Sequence, residues 1–285
     1  MTKILVTTDL SANSKAGIRF AAQLALKTGA DLVFYNVIGV MKPTSWSDKK
    51  YKSYAELQIM ESQTKLKKFV KSVLRDEPLP LADYSYISEI GGNNVVQSIL
   101  NYARNLNMAL ICTSTRGAGA VKKLFGTVAS GMITYSEIPL MVVPYNYKVK
   151  AITKVFYASD FSALKKELKH VLDFSADVNA KVIVYHYDYL LHVPENKNKL
   201  EKLIKKQEAT GVTFELKRQN IENPISKHLE LDIKKEKASI VVLFTKQNRN
   251  WFDRLFARSE STSMAFNADI PLLIFRKENV KSSSK

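Results

Sequence analysis

The residue types most able to do chemistry in this chain fall in one stretch, Thr113-Ser114-Thr115-Arg116-Gly117-Ala118-Gly119-Ala120-Val121-Lys122-Lys123-Leu124-Phe125-Gly126-Thr127-Val128. An apolar run, Met108 to Cys112, precedes it and reads as a buried strand, and helical spacing resumes at Val121. Strand, glycine-containing loop and helix start, in that order, can hold an anion. Glycine lets the backbone approach a phosphate closely, and the first N–H groups of the helix point outward without intrahelical partners. Gly126 and Thr127 would add a second close approach and a hydroxyl donor. The loop alone does not decide the matter, because strand-to-helix turns also use glycine for geometry.

Other chemistry is thinner. The four histidines, His170, His186, His192 and His228, show no metal-ligand spacing, and packing or surface roles are expected for them. His186, at a strand end, matches Asn36 in the first half. Ser114, Thr115 and Ser159 lack the G-x-S-x-G context of an activated nucleophile. Asp9 could hold a magnesium ion that bridges phosphates. No pair of acids with a supporting base stands out, so no catalytic residue is assigned and an enzyme is not expected. Cys112, the single cysteine, excludes an intramolecular disulfide and sits where a packing residue belongs. Trp251-Phe252 and Leu255-Phe256 fit an amphipathic helix docked on a sheet.

The composition bounds the partners. The chain has 285 residues, 46% apolar and 25% charged, with a net charge of +16. That charge invites a nucleic-acid reading. Yet the lysines lie in separate groups (65, 67, 68, 71; 197, 199, 202, 205, 206; 234, 235, 237) on helices whose apolar positions face the other way. Solvated helix faces account for them, and charge alone neither requires nor excludes nucleic acid. No apolar run reaches the ~20 residues of a membrane span. The strand-like run Lys3-Ile4-Leu5-Val6 at the start argues against a signal peptide, so the expected location is cytoplasmic.

The elements that must position the loop alternate. Ile4 to Thr8 reads as a strand ending in Asp9, and Ser11 as the cap of a helix burying Ile18, Ala21, Ala22 and Ala25. Leu32 to Val37 reads as a second strand. A helix from about Tyr51 to Leu74 presents Leu66, Phe69, Val70 and Val73. Tyr84 to Ile90 reads as a less buried strand. The next helix has Val95, Val96, Ile99, Ala103 and Leu106 inward. After the loop come a helix from about Val121 to Tyr135 and a last strand, Leu140 to Val143. Alternating strands and helices predict an α/β fold, an open, mostly parallel five-stranded sheet with helices on both faces. Such sheets bind ligands at the carboxyl ends of their strands.

The second half repeats the first. Thr8-Asp9-Leu10-Ser11 returns as Ser159-Asp160-Phe161-Ser162, and Ala30 to Val37 as Ala180 to Tyr187. Ala109-Leu110-Ile111 returns as Ser239-Ile240-Val241, and Ile138-Pro139-Leu140 as Ile270-Pro271-Leu272. The interval shrinks after the second match, so the middle of the second copy is shorter. Two tandem domains are expected, over 1–147 and 151–278, with a basic linker near Tyr147 to Thr153 and a disordered tail over 279–285.

Together the strand ending in Thr-Asp-Leu-Ser, the alternation, the glycine loop and the closing Ile-Pro-Leu-Met-Val-Val-Pro resemble the universal stress protein family, in a tandem form and over nearly the whole chain. The resemblance implies an adenine-nucleotide-binding α/β sandwich with strand order 3-2-1-4-5. ATP-binding members carry G-x-x-G, nine residues, then G-S/T. On that pattern Asp9 would face the adenosine and Val37 would line the adenine pocket. Ser114 falls at the first glycine and Gly117 at the second, and Gly126-Thr127 match the closing pair. Thr7, Thr113, Thr115, Arg116 and Val128 complete the implied nucleotide-binding set. Two departures stand out: the first glycine is Ser114, and eight residues separate Gly117 from Gly126. One missing residue turns a helix start by about 100°. The second copy's loop, Thr245 to Ser259, contains no glycine. There Asp160 is read as a helix cap or a ligand, and the half as a structural or partner-binding copy.

The resemblance implies a stress-response protein, nucleotide-responsive or a scaffold, with ATP or another adenine nucleotide, and magnesium with it, in the first domain. A slow ATP hydrolase and a basic nucleic-acid-associated protein are the alternatives. Members of one domain usually dimerise through the last strand. The two halves are therefore expected to pair internally, through Leu140 to Val143 and Leu272 to Phe275, with a homodimer as a further possibility.

Overall fold

The structure is a computed structural model that describes residues 1–75, 84–92, 94–115, 126–161, 163–188, 211–218, 225–245 and 270–277, with 202, 204–206 and 208. The chain divides into two compact units, Met1–Val149 and Lys150–Lys285.

In the first unit the described elements are β1 (Lys3–Thr7), α1 (Lys15–Thr28), β2 (Asp31–Ile38), α2 (Asp48–Leu74), β3 (Ser85–Ile90), α3 (Val95–Asn105), β4 (Leu110–Ser114), α4 (Thr127–Tyr135) and β5 (Leu140–Val143). The strands lie side by side as β3-β2-β1-β4-β5, all parallel, with Val6 opposite Phe34 on one side and Cys112 on the other. This is the expected strand order. A chain that starts in the middle of its sheet reverses direction of growth between β1 and β4, so the carboxyl ends of these strands border a crevice.

Burial follows composition. β1, β4 and β5 are apolar on both faces because helices cover both, and Ile4, Leu5, Val6, Ile111, Cys112 and Val142 are fully enclosed. Each such side chain contributes roughly 1.5–3 kcal/mol. Burial pushes the Cys112 thiol far above its ordinary range, which fits a packing residue. The edge strand β3 is mostly half-buried or exposed. Ser47 caps α2 by accepting from Lys50 N–H, and Asn94 caps α3 by accepting from Gln97 N–H at 3.1 Å.

Some inward positions differ from the reading by periodicity. Along α2, Leu66, Val70 and Val73 are buried, while Phe69 is half-buried. On α3, Ile99, Leu100 and Ala103 are buried, but Val95 is 39% and Leu106 46% exposed. An eleven-residue helix lays its middle turns on the sheet, and its ends overhang.

The second unit has β6 (Lys154–Ala158), α5 (Leu164–Val178), β7 (Lys181–Asp188), β8 (Thr213–Arg218), α6 (Ile225–Glu236), β9 (Ile240–Thr245) and β10 (Leu272–Arg276). Its strands run β8-β7-β6-β9-β10, again parallel. The repeat extends to single bonds. Ile111 N–H donates to the Pro139 carbonyl at 2.9 Å, and Val241 N–H to the Pro271 carbonyl at 3.0 Å. Residues 246–269 and 279–285, which carry the glycine-free loop, Trp251 to Phe256 and the tail, lie outside the described residues. Among the described residues no helix is long and apolar enough to cross a membrane.

Candidate functional site

The carboxyl ends of β1 and β4 meet α1 and α4 in a polar layer. Thr8 keeps the ladder one residue past β1, its N–H donating to the Tyr35 carbonyl at 3.0 Å. The chain then leaves the sheet through a tight turn. Leu10 takes the left-handed conformation (φ 61°), which a side chain with a Cβ adopts only when its surroundings hold it there. They do. Thr8 Oγ1 accepts from Leu10 N–H at 3.0 Å, Asp9 Oδ1 accepts from Ser11 N–H at 3.1 Å, and Thr8 and Ser14 hydroxyls lie 2.7 Å apart. The expected capping role of Ser11 is not found: its hydroxyl makes no cap bond and is buried without a hydrogen-bond partner among the described residues. The turn side chains Thr8 and Asp9 satisfy the nearby N–H groups instead.

At β4 the hydroxyls are committed inward. Thr7 donates to Thr113 at 2.9 Å, Ser114 Oγ accepts from Gly17 N–H at 3.0 Å, and Thr115 Oγ1 accepts from Tyr145 N–H at 3.2 Å. All four side chains are buried. Gly17 is required here, since a Cβ on it would lie 2.9 Å from Ser114 Oγ and 3.3 Å from Ser114 N. Ser114, at the position of the motif's first glycine, thus anchors α1 to β4.

The expected start of the helix near Val121 lies outside the described residues. Among the described residues α4 starts at Thr127, with Gly126 as its N-cap at φ −68° and ψ 169°, a backbone any residue can adopt. Gly126 N–H donates to the Thr115 carbonyl at 2.7 Å, which ties the helix start to the end of β4. Among the described residues no side chain caps α4, and the first N–H groups of a helix have no partner within it. Thr127 is exposed, and Val128 and Gly126 are half-buried. Arg116 and Gly117, with residues 118–125, lie outside the described residues. Asp9 is exposed on the neighbouring strand end. Val37, half-buried near the end of β2, presses on Gly91. A Cβ there would meet Val37 Cγ1 at 2.3 Å, so glycine alone lets β3 turn away at this point. Of the sequence-assigned residues, the structure gathers Thr7, Thr113, Ser114, Thr115, Gly126 and Thr127 around the β1 and β4 ends. Among the described residues no three His, Cys, Asp or Glu side chains cluster to hold a metal.

The same edge of the second unit is built differently. Phe161 repeats the left-handed turn (φ 59°), with its N–H donating to Ser159 Oγ at 3.1 Å. Asp160, read from sequence as cap or ligand, is an ion-pair partner. Lys277, just past β10, sends Nζ to both its carboxylate oxygens at 2.7 and 2.6 Å and to Glu167 Oε1 at 3.3 Å. The Lys277 side chain is 6% exposed and that of Glu167 5%. Tyr157 donates to the other Glu167 oxygen. Sequence reasoning missed this clasp, because a lysine following an apolar strand reads as a solvent-facing end.

The comparisons agree with this architecture. The model of the universal stress protein family matches residues 1–144. No curated protein matches the sequence. Among solved structures, a universal stress protein from Archaeoglobus fulgidus DSM 4304 superposes at TM-score 0.61 with 16% identity, covering 96% of this chain and 98% of its own. A putative universal stress protein from Pseudomonas aeruginosa UCBPP-PA14 superposes at TM-score 0.56 with 14% identity, covering 97% and 93%. At these identities the structural likeness speaks for the fold, and the family match carries the assignment. The chain belongs to the universal stress protein family.

Proposed function

We propose that this protein is a stress-response scaffold whose first unit takes up an adenine nucleotide, ATP or a close relative, without dedicated chemistry. One observation carries the reading: α4 begins at the carboxyl edge of the sheet with glycine at its cap and, among the described residues, no side-chain cap. Such a helix start favours a phosphate through its N–H donors and dipole. Asp9 and Val37, at the ends of β1 and β2, are the adenosine-side residues in this reading. Magnesium would arrive with the phosphates and find Asp9 as its protein ligand. The hydroxyls of Thr113, Ser114 and Thr115 are buried and accept from Thr7, Gly17 and Tyr145, whereas Thr127 is exposed and joins the backbone N–H groups as a phosphate donor.

In this proposal the second unit is a structural or partner-binding copy, because Lys277 already neutralises Asp160. Pairing of the halves through their last strands rests on the duplication and is part of the same proposal. X-ray scattering by two freely tumbling lobes would remove it.

Calorimetric titration of the full chain with ATP and magnesium tests the nucleotide reading. Gly126→Val adds a branched side chain at the cap and is expected to abolish the binding heat. Unchanged affinity in that variant contradicts the site.

A further inference from the structure

Asn36 is a buried polar residue on β2, next to Val37, and no ligand contact is assigned to it. Its Nδ2 donates to the Thr8 carbonyl at 2.7 Å. Its Oδ1 accepts from the Ser62 hydroxyl of α2 at 3.0 Å, and Ser62 Oγ lies 2.9 Å from Ser88 Oγ on β3. These partners fix which way the amide points, since a carbonyl can only accept and the hydroxyl donates to the remaining oxygen. Thr8 O is the last carbonyl before the chain leaves the sheet, and the peptide it belongs to leads into Asp9. A side chain therefore holds this carbonyl where the ladder has ended.

The second unit makes the same bond with a different residue. His186 Nδ1 lies 2.8 Å from the Ser159 carbonyl, and Ser159 and His186 are the repeats of Thr8 and Asn36. A carbonyl acceptor requires that Nδ1 carry the proton. Both copies then place a left-handed residue two positions on, Leu10 and Phe161. The bond is kept across the duplication while its chemistry has changed. The support behind it is not kept: in the sheet register Ser88 faces Asn36, whereas Leu216 faces His186.

We propose that Asn36 is a positioning residue for the ligand edge. It clamps the Thr8 carbonyl and so sets the strained turn from which Asp9 projects, with Ser62 and Ser88 locking the clamp. This rests on the nucleotide reading of the first unit for its consequence, though not for its geometry. The second unit also supplies the conservative replacement, a histidine.

The test uses the full chain in four forms: wild type, Asn36→Ala, Asn36→His and Ser62→Ala. Each is titrated with ATP and magnesium, and amide hydrogen exchange is read at Leu10, Ser11 and, as a control, Val6. Asn36→Ala is expected to weaken ATP about 10-fold, the worth of one lost hydrogen bond. It should speed exchange at Leu10 and Ser11 and leave Val6 protected. Asn36→His should restore both readouts, which a loss of general stability would not allow. Unchanged affinity and exchange in Asn36→Ala, or no recovery in Asn36→His, overturns the proposal. If wild type binds no ATP, the nucleotide reading fails and exchange at Leu10 and Ser11 alone decides the clamp by the same criteria. If Asn36→Ala does not fold, Ser62→Ala replaces it. Faster exchange at Leu10 and Ser11 then supports the clamp, and unchanged exchange overturns it.

Discussion

Among the described residues four tyrosine hydroxyls donate to carboxylates: Tyr35 to Glu89 at 2.6 Å, Tyr185 to Glu236 at 3.0 Å, Tyr187 to Asp232 at 2.9 Å, and Tyr157 to Glu167. Burial, and then the neighbouring carboxylate, pushes each phenol well above its ordinary value of 10.0. A pKa raised on folding stabilises fully below the unfolded value and loses that contribution as pH rises above it. Urea unfolding midpoints are therefore expected to hold up to about pH 9 and to fall between about pH 9.5 and about pH 11, less steeply in Tyr187→Phe. A midpoint flat across that range would contradict the assignment. The Lys277 clasp gives a second expectation. Lys277→Met leaves Glu167 buried without its cation, at a cost of about 3–5 kcal/mol seen as a lower denaturation midpoint. A loss under about 1 kcal/mol would mean the pair behaves as an exposed one. Neither arrangement could be read from the chain, because a pairing between Asp160 and Lys277 has no periodic signature.

Elements were more legible than their ends. The apolar runs of β1, β2, β4 and β5 are bounded by Asp9, Gly29, Ser114 and Pro139, and a doubly covered parallel sheet demands such runs. Helix faces were legible in their middle turns. Val95 and Leu106 fit the spacing of α3 yet overhang the sheet, since periodicity records direction around a helix and not where its support stops. Ile99→Ala is expected to cost about 2–5 kcal/mol, and Leu106→Ala under about 1 kcal/mol, by denaturant unfolding. Equal costs would show that the end of α3 is packed. The helical spacing of Val121 and Leu124 lies in residues the structure does not describe, and the described part of α4 ends at Tyr135 as its spacing implies.

For the whole molecule, the duplication was the clearest message of the sequence, and the two units share strand order down to the bonds of Pro139 and Pro271. The sequence showed the loss of glycine from the second loop, and not the ion pair that closes on Asp160 at the carboxyl edge of the sheet. In the first unit the turn leaves Asp9 exposed, and in the second a lysine closes on Asp160. The central claim is that one copy takes the nucleotide and the other does not. A crystal structure of the full chain grown with ATP and magnesium tests it most directly. The expected result is nucleotide density in the first unit only, its phosphates at Gly126-Thr127 and its adenosine near Asp9 and Val37. Nucleotide at the Asp160 edge of the second unit, or none at the first in saturating ATP, would contradict the account.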